Sequence, residues 1–228
     1  MKNGPQKPPG GEPFVPVQRT LPVLRAAVQE CRGCDLYRNA TQAVFGELDT
    51  PAAKHSAHAA ILMIGEQPGD REDVEGRPFV GPAGKLLDRC LDEAGIDRRE
   101  VYVTNAVKHF KWEPRGKRRL HKKPSQREIE ACRPWLQAEI DLVQPQLIVC
   151  LGATAAQGLL GSSFKVTKAR GVLVRRDRLP PLMATVHPSS ILRAQSEEDR
   201  RRETESFIAD LRKARQHLAK MSASHARH

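Results

Sequence analysis

A chain of 228 residues with a formal net charge of +11 is long enough for one sizeable core and too short for two, so a single domain is expected. The basic excess points to an acidic polymer as partner, nucleic acid before a membrane surface, because the cations do not line the polar face of a helix with a bulky apolar opposite face. No apolar run is long enough to span a bilayer and no signal peptide opens at Met1, so a cytoplasmic protein is expected, in which five cysteines belong to metal, redox or core roles and not to a disulfide framework.

Residues 1–20 are rich in Pro, Gly and charge and are expected to form a mobile tail before a domain spanning 21–220. Leu21 to Glu30 has helical apolar spacing and leads into Cys31-Arg32-Gly33-Cys34. Ala59 to Ile64 is a continuous apolar run ending at Gly65, the pattern of a buried parallel strand. Similar runs follow at Val101 to Val107, Leu147 to Leu151 and Leu182 to Val186. Helical patterns lie between them at Ala83 to Ala94, Ser125 to Val143 and Ala153 to Leu160. Strands alternating with helices predict an α/β fold, a three-layer α/β/α sandwich around a four-stranded parallel sheet, with functional loops at the carboxyl ends of the strands. Those ends carry Gly65-Glu66-Gln67-Pro68-Gly69, Asn105, Gly152-Ala153-Thr154 and His187-Pro188-Ser189-Ser190. A last helix is expected over Glu197 to Lys220, with a frayed end from Met221 to His228.

With aromatics at only 4%, Phe79 and Trp112 stand out as candidates for special positions. The stretch Thr104 to Trp135 gathers more chemistry than any other. Asn105 offers an amide donor and acceptor, His109 and Cys132 are metal-ligand types, and His121 sits within the cations Lys117, Arg118, Arg119, Lys122 and Lys123. Taken alone, this is a solvated basic loop followed by an amphipathic helix.

GEQPG followed by GRPFVGPAGKLL (Gly65 to Leu87) resembles the first motif of the iron–sulfur, family 4 uracil-DNA glycosylases, and His187 to Arg193, HPSSILR, resembles the second motif of that superfamily. The likeness takes in Cys31-x-x-Cys34, Thr104 to Lys108 and Ala131 to Pro134, so it runs from Leu21 to Leu211. It implies a uracil-DNA glycosylase fold, uracil-containing DNA as substrate with single strands favoured, and a monomer. Phe79 resembles the aromatic on which uracil stacks, and Asn105 the residue that reads the uracil edge. Gln67 and Asp70 would line the pocket. Glu66 would face the cationic sugar or orient a nucleophile, and His187 would contact uracil O2 and stabilise the departing anion. Ser189 and Ser190 suit phosphate contacts, and Leu192 or Arg193 the wedge that fills the vacated stack.

In that family four cysteines hold a 4Fe–4S cluster. Cys31, Cys34 and Cys132 match three of them, and His109 stands at the fourth position. Cys90 and Cys150 are the alternatives, although both look like core. On ligands alone zinc suits three cysteines and a histidine equally well, and only the resemblance selects iron.

A second departure is GKRRLH, Gly116 to His121, which resembles the KRRIH loop of the uracil-DNA glycosylase X subgroup. The likeness implies that His121 attacks the sugar C1′ after the base leaves and stays joined to the abasic site, a single turnover ending in self-capture. The five neighbouring cations would disfavour protonation of His121 and draw abasic DNA to it. An ordinary turnover glycosylase and a non-catalytic binder of damaged DNA are the alternatives.

Overall fold

In the computed structural model, residues 8–49 and 58–225 are described. The strands are β1 (Glu47–Leu48), β2 (Ile61–Gly65), β3 (Val101–Asn105), β4 (Trp112–Arg115), β5 (Arg118–His121), β6 (Leu147–Leu151), β7 (Leu173–Val174) and β8 (Leu182–Thr185). Six of them form one sheet in the order β1-β3-β2-β6-β8-β7, and β4 pairs with β5 apart from it. The inner four, β3, β2, β6 and β8, run parallel, as the alternating pattern implied. The two edges, β1 and β7, are antiparallel and two residues long. Pieces that short carry no readable period, which is why sequence gave four strands where the sheet has six.

Every residue of β2, β3 and β6 is buried, and successive side chains feed opposite cores. Leu62, Ile64, Tyr102 and Ile148 pack with α1 (Leu21–Ala27), α4 (Gln126–Val143) and α5 (Ala153–Leu160). Ile61, Met63, Val103 and Val149 pack with α3 (Pro82–Ala94) and α8 (Glu197–His225) on the other face. Short helices α2 (Asp70–Glu75), α6 (Val166–Ala169) and α7 (Pro188–Leu192) rim the carboxyl ends of the strands.

One buried ion pair ties the layers together. Lys108 and Glu139 are both fully buried, and the Lys108 ammonium also donates to Thr104 Oγ1 and to the carbonyl of Asn105, each at 2.7 Å. Glu139 accepts from Gly46 N–H (2.9 Å), Tyr102 OH (3.1 Å) and Thr104 OH (2.9 Å). Every oxygen and proton of the pair is engaged, the condition under which two charges persist in a core.

The tail expected through residue 20 is built onto the domain from residue 8. Gly10 N–H donates to Gly33 O (3.0 Å), Gly11 N–H to Ala131 O (2.7 Å), and Phe14 and Val15 pack against the α4-side core. At the other end α8 continues to His225 where fraying was expected from Met221. Residues 1–7 and 226–228 of the two expected tails lie outside the described residues. Among the described residues no helix is long and apolar enough to cross a membrane.

Candidate active site

The carboxyl ends of the parallel strands open into a cavity of about 740 Å³ lined by Glu66, Gln67, Phe79, Asn105, His121, Thr154, His187, Ser189, Ser190 and Arg193, among others. Glu66, Gln67, Phe79, Asn105, His121, His187, Ser189, Ser190 and Arg193, all singled out by sequence, meet here from separate segments of the chain.

Phe79 holds a left-handed backbone, φ 56°, a conformation that costs an aromatic residue roughly 1–3 kcal/mol. Two glycines make it possible. A Cβ on Gly84 would come within 1.6 Å of Phe79 O, and one on Gly65 would strike Asn105 Oδ1 at 2.3 Å and Phe79 Cζ at 2.9 Å. Gly65 therefore clears the space between the Asn105 amide and the Phe79 ring. The Phe79 and His187 rings lie 5.9 Å apart at 26°, leaving a flat-walled recess with the buried Asn105 at its end.

His187 caps α7. Its Nδ1 accepts Ser189 N–H at 3.1 Å, which assigns the ring proton to Nε2 on the cavity side. Burial first, then Arg193 and His121, lower its pKa to about 4, so it presents a neutral donor. Ser189 Oγ lies 2.8 Å from His187 Nδ1, and Ser190 OH donates to His187 O at 2.7 Å. Both hydroxyls expected on phosphate are thus engaged with the histidine in this structure.

Glu66 Oε1 stands 3.5 Å from His121 Nε2, and Oε2 receives the Thr154 hydroxyl. The pKa of His121 is lowered, chiefly by burial, with Glu66 opposing and Arg193 adding. The expected cause was the cations of its own loop. They fail because Arg119 turns to Asp70 and Asp73 and Lys122 pairs with Glu113 at 2.8 Å. The cation that acts is Arg193, from the end of α7.

The expected basic loop is a β-hairpin. Strands β4 and β5 pair from Trp112 opposite His121 to Arg115 opposite Arg118, closed by Gly116 at φ 58°. Both faces are polar, so no apolar alternation marked it. Gln67 brackets its base, donating to Lys111 O (3.1 Å) and Lys122 O (3.0 Å) and accepting from Lys111 N–H (3.2 Å). Its side-chain amide therefore grips the hairpin and is not free to read uracil. Asp70, by contrast, does not line the cavity. It accepts Arg119 Nε at 2.6 Å, while the guanidinium lies over Phe110 and Trp112, 5.4 and 5.6 Å from the ring centres. Arg119, expected on DNA, is the hairpin's anchor; Lys117 and Arg118 remain exposed at its tip.

On the α4 side three thiols gather. Trp135 Nε1–H donates to Cys31 Sγ and Lys108 N–H to Cys132 Sγ, both at 3.2 Å. Burial, with Cys34 and Cys31 nearby, pushes Cys132 up to about 12, and burial raises Cys34. Buried thiols with N–H donors already aimed at sulfur fit ligands whose thiolate charge a metal centre would offset. His109, next to Lys108, is buried and held neutral with a pKa of about 4, again by burial, with Asp73 opposing, the form that binds metal. Cys90 sits in the opposite core, and Cys150, inside β6, is raised to about 12 by burial alone. Among the described residues no three His, Cys, Asp or Glu close around a single ion.

Residues 53–212 match the family model of the uracil DNA glycosylase superfamily. The chain is 37% identical over 206 residues to the type-4 uracil-DNA glycosylase of Thermotoga maritima, covering 89% of this chain and 97% of that enzyme. It is 36% identical to the type-4 uracil-DNA glycosylase of Sulfurisphaera tokodaii over 76% of each chain, and 34% identical to that of Archaeoglobus fulgidus over 72% of this chain and 79% of the other.

Proposed function

Because this chain belongs to the uracil-DNA glycosylase superfamily and, within it, to the type-4 family, we propose that it excises uracil from DNA and is then captured by the abasic sugar through His121. The observation that carries the second half is the placement of His121 Nε2 at 3.5 Å from Glu66 Oε1, in the cavity that also holds Phe79, Asn105 and His187.

Uracil flipped from a strand enters the recess between Phe79 and Asn105, where the amide donates to O4 and accepts from N3–H. The C1′–N1 bond breaks and its electron pair leaves with the base, while His187 Nε2–H donates to O2 and the Glu66 carboxylate faces the oxocarbenium-like sugar. The Nε2 lone pair of neutral His121 then bonds to C1′, and the imidazolium formed lies beside Glu66. A side chain already in place has an effective concentration of roughly 10⁵ M or more, enough to exceed water. Cys31, Cys34, Cys132 and His109 would hold a four-iron cluster. When bound it supplies cross-links among the end of α1, the segment after β3 and α4. Lys117 and Arg118, exposed at the hairpin tip, are placed for phosphates, and an unpaired uracil, already unstacked, is the easier substrate. The protein acts as a monomer.

The relatives favour a second reading, ordinary turnover in which water attacks and the hairpin only grips DNA. Incubation with a uracil-containing oligonucleotide followed by a denaturing gel separates the two. Capture gives a heat- and SDS-stable adduct, and released uracil without one sinks it. No release at all would leave a binding protein.

A further inference from the structure

Thr154 lines the catalytic cavity, yet neither sequence motif contains it. It is the second residue of α5 and is 2% exposed. Its hydroxyl donates to Glu66 Oε2, a contact shared with no other group among the described residues, while the other oxygen, Oε1, is the one near His121. A carboxylate on a flexible side chain has two equivalent oxygens and turns freely unless one is held. Thr is suited to hold it, because its branched Cβ leaves few χ1 choices. At the start of a helix there is also no carbonyl one turn back for the hydroxyl to bond instead.

We propose that Thr154 is a positioning residue for capture: by holding Oε2 of Glu66 it keeps Oε1 directed at His121, and so sets the approach of the imidazole to the sugar. This rests on the capture reading above. Uracil departure depends on Phe79, Asn105 and His187, none of which is hydrogen-bonded to Thr154, and on the negative charge of Glu66, which the carboxylate keeps whichever way it turns; attack by His121 depends in addition on where Oε1 points, so loss of the hydroxyl should act more on bond formation to C1′ than on bond breaking. The other charged groups facing Glu66 across the cavity are His121 and Lys123 from the hairpin, His187 and Arg193 from α7, and Glu72 from α2. None of them contacts Oε2, so none replaces the lost donor.

The test is a single-turnover time course on uracil-containing single-stranded oligonucleotide, scoring released uracil and covalent adduct separately, for wild type, Thr154→Val, Thr154→Ala and Thr154→Ser. Val keeps the shape, Ala suits a helix start and guards against a Val variant that fails to fold, and Ser keeps the hydroxyl. In Val and Ala adduct formation is expected to slow about tenfold or more, the scale of a small misplacement of a reacting group, while uracil release falls by less than about threefold. Free abasic strand then accumulates, and Ser restores most of the adduct. Wild type releasing uracil without adduct would remove the capture reading and this inference with it. Wild type forming adduct, with Val or Ala giving the wild-type ratio of adduct to uracil, or with Ser as deficient as Val, would overturn the role of Thr154 alone.

Discussion

At the scale of single residues the structure separates two histidines that sequence could only place among candidates. His121 faces Glu66 in the cavity, and His109 is buried next to Lys108, whose N–H donates to Cys132 Sγ. For His121→Ser we expect no stable adduct but continued uracil release, because departure of the base and attack on the sugar are separate steps. Full cross-linking by that variant on a denaturing gel would mean another nucleophile. For His109→Ala, iron content and visible absorbance of the purified protein should fall while His109→Cys retains both, and unchanged iron in the Ala variant would deny His109 a ligand role. The residues legible from sequence were those whose chemistry is fixed by type and strand-end position, such as Glu66, Phe79, Asn105 and His187. Asp70 and Arg119 were misplaced, and the grip of Gln67 on the hairpin went unseen, for one reason. Their polar groups are satisfied by partners 44 to 55 residues away, and no local pattern reports a partner that distant.

At the scale of elements, the hairpin gives the basic segment a fixed shape beside the cavity. It is clamped at its base by Gln67 and along one face by Arg119, which bridges to Asp70 and Asp73 on α2. His121 ends β5, one residue beyond Leu120 and two beyond that anchor, so the anchor fixes where the imidazole stands. Arg119→Ala should therefore slow adduct formation by about ten- to a hundredfold, and Arg119→Lys should rescue poorly because an ammonium cannot span both carboxylates. Equal adduct rates in wild type and Arg119→Ala would show that the hairpin holds its shape without the guanidinium. On the other side of β3, Lys108→Met would strand Glu139 without its counter-charge and should cost about 3–5 kcal/mol in urea unfolding. Neither device was visible beforehand: the hairpin has no apolar alternation, and a lysine inside an apolar strand end reads as surface until its acid is found on α4.

For the whole molecule, the parallel sheet was readable because strands buried on both faces must be continuous apolar runs, and the same burial sets how the protein responds to acid. His187 lies where the carboxyl ends of the strands meet α7, with a folded pKa of about 4 against an ordinary value of 6.5. Above pH 6.5 it is neutral folded or unfolded and contributes nothing to the pH dependence. As pH falls below 6.5 the unfolded chain takes up a proton that the folded chain refuses, so stability falls until about pH 4, by roughly 3 kcal/mol in all and about 2 by pH 5. Urea unfolding of wild type and His187→Asn at pH 7.5 and pH 5 isolates this contribution, because every other titrating group is common to the two proteins. The variant should lose about 2 kcal/mol less over that interval, and an equal loss in both would mean that His187 is not held neutral by the fold. In the proposed mechanism the same burial would serve the chemistry, since a neutral His187 can donate to a departing uracil anion and a neutral His121 keeps its lone pair. Capture should accordingly persist below the pH at which a free histidine is half protonated, and it should fail on the acid side over the range in which the fold weakens.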